Sequence, residues 1–288
     1  MKVVIGGASG YVGRALASSL SADGHEVISV SRSAGPSPRT AVGWDRIPSA
    51  LEGAQAVVNL AGTSIGAPFW TARRKQAMRA SRVETTQALV EGIAAADPRP
   101  GVFVTASGID YYGDSGDEPV DESAPAGSSF LAGLCVEWEA AAKAAPVRHV
   151  AVRTALVLGP AAPALRMMAL PFRLFAGGPL GGGRQFFPWI HRDDLVAIYR
   201  LALADTSLSG ALNAVAPEQL RQAEAARTFG AVLRRPSILP APAFALRLAL
   251  GEQADLLLHG QRAISRRLDG FAFGYPTLRA ALESAFAR

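Results

Sequence analysis

Glycines at 7, 10 and 13, in Gly7-Ala8-Ser9-Gly10-Tyr11-Val12-Gly13, carry the chemistry of phosphate binding. Glycine lets a backbone turn tightly and approach a pyrophosphate, and the free amides of a following helix face the anion. This loop has the setting that such chemistry needs. The β-branched run Val3-Val4-Ile5 precedes it as a short buried strand. Val12, Leu16 and Leu20 follow at four-residue steps, the apolar stripe of a helix from Gly10 to Asp23. A second strand, Glu26–Ser31, lies beyond. A glycine pattern alone is weak evidence; strand, turn, helix and strand together point to a dinucleotide. Gly7, Ser9, Gly10, Tyr11, Val12 and Gly13 are expected to meet it.

The end of the second strand bears on which dinucleotide binds. A carboxylate there holds a ribose 2′-hydroxyl, whereas a cation accommodates a 2′-phosphate. The chain has Val30-Ser31-Arg32-Ser33, with no acid in reach. Ser31 and Arg32 therefore point to NADP(H); the alternative is a solvated surface arginine. A third strand run ends in Asn59-Leu60-Ala61-Gly62, where Leu60, Ala61 and Gly62 would lie against the adenine ribose.

The elements that must position these residues alternate. Strand runs at 3–5, 26–31, 54–60, 101–107 and 149–153 are separated by helical stretches, one of them long and polar from Trp70 to about Ala96. That alternation predicts an α/β fold, a doubly wound parallel sheet covered on both faces. Beyond Arg153 the texture changes, with a glycine-rich loop at 177–183 and helices after Arg192. The expected division is a Rossmann domain at 1–155, a mixed region at 156–238 that contributes to sheet and substrate lobe, and a smaller helical domain at 239–288.

Composition narrows the function. With 288 residues, 49% of them apolar, the chain can bury a large core. No apolar run is long enough for a membrane span, and the N-terminus enters a strand at once, so no signal peptide and no membrane are expected. Cys135 is the single cysteine, which excludes an intrachain disulfide and suggests a reducing, cytoplasmic home. The net charge of +5 comes from scattered arginines, with lysine only at 2, 75 and 143, so nucleic acid is not an expected partner. No His, Cys, Asp or Glu cluster has metal-ligand spacing, and no metal is expected. Monomer and homodimer both remain open.

The GxxGxxG spacing resembles that of the short-chain dehydrogenase/reductase superfamily, in its extended or atypical branch. Other phrases extend the likeness: Thr105-Ala106-Ser107-Gly108 before Tyr111-Tyr112-Gly113, Arg153 through Gly159-Pro160, and Trp189-Ile190-His191-Arg192-Asp193-Asp194. The resemblance implies a catalytic serine at Ser107. The superfamily's acid/base pair, Tyr-x-x-x-Lys, is missing, because no tyrosine has lysine four residues later. Matching the helix Ser128–Glu139 at its Glu139 end places Leu131 at the Tyr position and Cys135 at the Lys position. The helix Ser81–Thr86 matches a segment in which Arg82 stands for the usual Asn. With these replacements the chain resembles, over its whole length, the atypical group labelled epimerase family proteins, which carries a C-terminal domain of unknown function. The matching phrases there include Arg184-Gln185 and the tail Gly270–Pro276.

Each candidate has a plainer alternative. Cys135 is a thiol near the nicotinamide, or a small hydrophobe on the stripe Leu131, Leu134, Cys135, Trp138. Arg82 contacts cofactor or substrate, or belongs to a solvated face with Arg73, Arg74 and Arg79. His191 and Arg184 are candidates for substrate contact, while His191 also suits a helix cap. Tyr111 or Tyr112 would replace the lost acid. Two function classes follow. The first is an NADPH-dependent oxidoreductase or epimerase-like enzyme, its small substrate held between the 177–183 loop and the cofactor. The second is a non-catalytic NADP(H) sensor that binds a protein partner.

Overall fold

Alternation within single strands shows how the chain builds two faces. In the first strand Val3 and Ile5 point into one apolar cluster and Val4 into another, all of them buried. Parallel strands buried on both faces read as continuous β-branched runs, as this one does. The structure is a computed structural model that describes residues 1–31, 41–66 and 69–287.

Among the described residues the central sheet has seven strands, all parallel: β1 (Lys2–Gly6), β2 (Glu26–Val30), β3 (Ala41–Val42), β4 (Ala56–Asn59), β5 (Val102–Gly108), then, after a two-residue strand β6 (Pro119–Val120) outside the sheet, β7 (Arg148–Thr154), and finally β10 (Gly210–Ala214). Their order is β3-β2-β1-β4-β5-β7-β10, so the winding reverses between β1 and β4. A crevice opens at the carboxyl ends of those two strands, where ligands of such sheets bind. Between β7 and β10 a small parallel pair, β8 (Leu156–Leu158) and β9 (Trp189–His191), carries the chain away from the sheet and back.

Helix α1 (Tyr11–Ala22) buries Leu16 and Leu20 on the face of Val3 and Ile5. The other face is covered by α2 (Ile47–Leu51) and α3 (Ala72–Ala95), which turn Ile47, Leu51, Leu89 and Ile93 inward. Helix α4 (Phe130–Lys143) follows β5 and packs along α3, while α5 (Pro163–Arg173) follows β8. Helix α6 (Arg192–Ala204) returns to the face of α1 with Leu195, Ile198 and Tyr199 buried.

The remaining elements are α7 (Gln222–Leu233), α8 (Ala243–Leu250), α9 (Asp255–Leu258), α10 (Leu278–Phe286) and the strand β11 (Arg262–Ala263), which pairs with β6. Leu278, Ala281 and Leu282 of α10 join the same core as Ala225 and Phe229 of α7.

Five strand runs are legible in the sequence and seven strands stand in the sheet. β3 has two residues, too few for any period. β10 is Gly-Ala-Leu-Asn-Ala, without a β-branched residue, and only its partner β7 makes it a strand.

Candidate functional site

At the turn from β1 into α1 the glycines meet steric demands that no other residue satisfies. Gly7 has φ +77°, and a Cβ there would lie 2.7 Å from the Ala61 amide nitrogen. A Cβ on Gly13 would overlap the Gly7 carbonyl oxygen, so its absence lets α1 sit against the strand. Gly10 is the N-cap of α1, and no side chain caps that end. The first amides of the helix, at Tyr11, Val12 and Gly13, are thus left for an anion. Of the side chains beside them, Tyr11 Oη donates to the Pro160 carbonyl at 2.9 Å, and Arg14 Nη1 reaches back to the Ser9 carbonyl at 2.6 Å.

Across the crevice the end of β4 is held by buried hydrogen bonds. Leu60 N donates to the Gly6 carbonyl at 2.8 Å, and Ala61 N to Asn59 Oδ1 at 3.0 Å. Asn59 Nδ2 in turn donates to Thr86 Oγ1 at 2.9 Å, as does Trp138 Nε1. Ser31 ends β2 with its amide on the Val42 carbonyl. Arg32 and Ser33 lie outside the described residues.

Beyond α1 the crevice deepens into a cavity of about 260 Å³. Arg82, Ser107, Leu131 and Cys135 all line it, so the four positions singled out by the resemblance meet around one space. Val12, Leu60, Ala61 and Gly62 border it on the side of the phosphate loop. A larger and more open groove of about 630 Å³ runs between α1 and α6, but its Arg192 and Arg200 are paired with Asp193 and Asp23.

Arg82 reaches across the top of the cavity wall. Its Nη1 donates to the Met78 carbonyl and its Nη2 to the Thr63 carbonyl, both at 3.1 Å, and it lies 5.3 Å from the Trp138 ring centre. Burial lowers its pKa, which Cys135 and Asp110 partly offset. A Cβ on Gly62 would lie 3.0 Å from the guanidinium carbon, so glycine there lets Arg82 lie close against the chain.

Ser107 donates its hydroxyl to Glu139 Oε1 at 2.6 Å. Glu139 also receives Arg153 in a two-point clasp, Nε to Oε1 and Nη2 to Oε2, each 2.8 Å. Arg153 Nη1 donates to Tyr112 Oη at 2.9 Å, and Tyr112 Oη donates to Asn213 Oδ1 at 2.8 Å. The Arg153 guanidinium stacks 3.4 Å from the Tyr111 ring centre. The two tyrosines thus serve a buried network behind the cavity, and neither lines it. Burial also pushes the Tyr112 hydroxyl up in pKa, although Arg153 opposes this.

Cys135 is buried, and its Sγ points to the Gly108 carbonyl at 3.7 Å. Burial, with Asp110 adding to it, pushes the thiol up to about 12, so it remains neutral.

His191 is wholly buried and caps α6: its Nδ1 accepts the Asp193 amide at 3.2 Å, and its ring lies 3.6 Å from that of Tyr275. It does not line the cavity, and its buried Nε2 has no hydrogen-bond partner among the described residues. Arg184 is exposed, and its carbonyl accepts Arg221 Nη1 at 2.7 Å. No residue of the 177–183 loop lines the cavity. Leu180 pairs with Ala241 and Gly177 accepts the Leu239 amide, so this loop braces the approach to α8 and leaves the cavity to others.

One cavity residue was not singled out from the sequence. Asp110 follows β5 in a 3₁₀ turn (Ile109–Tyr112), is half-buried and lines the cavity. A Cβ on Gly108 would lie 3.4 Å from both Asp110 Oδ2 and Cys135 Sγ, so carboxyl and thiol converge on that glycine. Burial raises the carboxyl to about 6, against the pull of its own backbone amide and of Arg82. The signal was an acid immediately before two tyrosines at a strand's carboxyl end.

The chain matches two family models. One, the NAD dependent epimerase/dehydratase family, covers residues 3–214; the other, a domain of unknown function (DUF1731), covers 241–285. Epimerase family protein SDR39U1 of Homo sapiens is 41% identical over 296 residues, with all of both chains covered. Epimerase family protein YfhF of Bacillus subtilis is 33% identical over all of this chain and 98% of its own. Among solved structures, human epimerase family protein SDR39U1 (isoform 2) with NADPH superposes with a TM-score of 0.93 at 41% identity, covering 99% of both chains. MoeE5 in complex with UDP-glucuronic acid and NAD superposes at 0.80 with 20% identity, covering 99% of this chain and 97% of its own, a likeness of fold alone.

Proposed function

This chain belongs to the NAD dependent epimerase/dehydratase family, and from that premise we propose that it binds NADPH and works as an oxidoreductase or epimerase-like enzyme on a small molecule. The observation that carries the reading is the convergence of an uncapped α1 N-terminus with a cavity lined by Arg82, Ser107, Asp110 and Cys135. The human relative solved with NADPH supports the choice of cofactor. The residues fit such a group: the Gly7–Gly13 turn leaves a cradle that side chains would fill, with amides aimed at it.

In this reading the amides of Tyr11, Val12 and Gly13 hold the pyrophosphate, while Ser9 and Gly10 border it. Ser31 and Arg32 hold the 2′-phosphate, and Leu60, Ala61 and Gly62 lie along the adenine ribose. Arg82 and Ser107 border the nicotinamide end. Bound NADPH supplies a hydride. The chain's own contribution is to orient that end, exclude water with Leu131 and Leu134, and position a proton. A cavity of about 260 Å³ falls below the usual ~300–1,000 Å³ of ligand pockets, so beside a nicotinamide it takes only a few further atoms. The neutral Cys135 and apolar Leu131 stand where the resemblance places the pair that sugar oxidation requires, which argues against an ordinary nucleotide-sugar epimerase.

A second reading has one observation in its favour. Ser107 is already bound to Glu139, and Leu131 with Leu134 presents an apolar wall, which suits an NADP(H) sensor that signals occupancy to a protein partner.

Cofactor choice tests the shared premise. A guanidinium bound to a phosphate contributes about 1.5–3 kcal/mol, a preference of roughly ten- to hundredfold for NADPH over NADH. Titrating both by nicotinamide fluorescence should show that preference, and Arg32→Ala should erase most of it while NADH binding stays. Equal affinities in the wild type would leave Arg32 a surface residue. Turnover of NADPH in a screen of small carbonyl compounds then separates enzyme from sensor.

A further inference from the structure

We propose that Asp110 is the proton donor of the cavity, acting on the carbonyl oxygen of a small substrate in the place where this chain has no tyrosine. The proposal rests on the NADPH-binding reading above. Its ground is position. Asp110 leaves the carboxyl end of β5 two residues beyond Gly108, lines the same cavity as Ser107, Leu131 and Cys135, and converges with the Cys135 thiol on the Gly108 backbone. The other polar side chains that line the cavity or lie behind it are committed. The fully buried Tyr199 hydroxyl bonds to Thr154, and burial raises its pKa; Thr154 itself donates to the Val152 carbonyl. Ser107 donates to Glu139, Arg82 holds two carbonyls, and Tyr112 is bound between Arg153 and Asn213. The Cys135 thiol is directed at the Gly108 carbonyl.

The groups that bear on Asp110 come from three elements. Arg82 on α3 favours its charge, the Cys135 thiol on α4 stays protonated and neutral beside it, and its own backbone amide in the 3₁₀ turn stabilises the carboxylate. Burial outweighs them and raises the carboxyl to about 6, close to the working range of a general acid. A nicotinamide entering the cavity removes more water from the carboxyl and favours its protonated form further. In the reduction the Asp110 O–H bond breaks and its proton passes to the carbonyl oxygen. The carbonyl carbon gains the hydride of the reduced cofactor, and solvent returns a proton to the carboxylate. The product is an alcohol and the oxidised cofactor.

Linkage makes this testable without a known substrate. If binding raises the carboxyl pKa by one unit, NADPH affinity falls about tenfold as pH rises through and beyond 6. NADPH is titrated by fluorescence from pH 5 to 8 against the wild type and Asp110→Asn. The cofactor's own phosphate titrates identically with both proteins, so the difference between the curves belongs to Asp110. The expected result is an excess loss of affinity in the wild type, several-fold or more, centred near pH 6. A melting series without cofactor supplies the second readout: Asp110→Asn should melt higher than the wild type above pH 6 and at the same temperature near pH 4. Normal NADPH binding with parallel curves would overturn the role of Asp110 alone. Absence of NADPH binding by the folded wild type at every pH would overturn the functional reading, and this proposal with it.

Discussion

At position 135 a thiol stands where the family resemblance places a lysine, and its surroundings decide what it can do. Removed from water, with Asp110 and Glu139 disfavouring a negative charge, the sulfur keeps its proton up to about pH 12. A thiol reagent at pH 8 should therefore modify native Cys135 orders of magnitude more slowly than the urea-unfolded chain, since the thiolate is the reactive form. Cys135→Ala should cost about 1 kcal/mol in a urea titration, the loss of one small buried group. Rapid labelling of the folded protein would show instead that the cavity exposes an activated sulfur. Ser107 teaches a related lesson. Its hydroxyl is present where the resemblance puts it, yet its hydrogen is already given to Glu139.

Helix α1 and strand β1 are coupled through glycine. The Gly13 backbone packs so closely on Gly7 and Ala8 that a methyl group would force the helix outward. Gly13→Ala should destabilise the protein by about 1–3 kcal/mol, the usual cost of overpacking, although alanine is the better helix former. The displaced helix also withdraws its amides from the pyrophosphate, so NADPH affinity should fall together with the urea midpoint. Unchanged midpoint and affinity would mean that the turn relaxes freely. Helix α4 illustrates the opposite case, a stripe read correctly as apolar: Leu131, Leu134, Cys135 and Trp138 are buried together, and the same face lines the cavity.

Over the whole molecule, the segment after α8 returns to cover the site built by the first half of the chain. Gln253 is buried, and its Nε2 donates to the Ile65 carbonyl at 3.0 Å, which Trp70 Nε1 also meets at 3.0 Å. Lys75 and Glu252 pair at 2.5 Å, and Leu256 packs with Ile65, Trp70, Met78 and Leu131. This segment lies within the stretch matched by the domain of unknown function, 241–285, and it forms a roof over the apolar cluster of Ile65, Met78 and Leu131, of which Ile65 and Leu131 line the cavity. Gln253→Ala removes one buried hydrogen bond, a loss of about 1 kcal/mol. The expected consequence is a several-fold faster release of NADPH in stopped-flow fluorescence, with the sheet intact by circular dichroism. Unaltered release would separate the roof from cofactor retention.

The amino-acid order by itself determined the phosphate turn and the parallel sheet, because both depend on local rules. Glycine spacing sets where backbone can approach an anion, and β-branched runs mark strands buried on two faces. It also brought Arg82, Ser107, Leu131 and Cys135 to attention before any contact was visible. What it could not decide was the allegiance of each polar side chain. His191 caps a helix, Arg184 faces solvent, and Tyr112 lies locked between Arg153 and Asn213, from β7 and β10. Those partners are 41 and 101 residues away in the chain, beyond any periodicity. Asp110 became a candidate for the same reason in reverse: only the packing of α3 and α4 around β5 removes enough water to hold an ordinary carboxyl near neutrality.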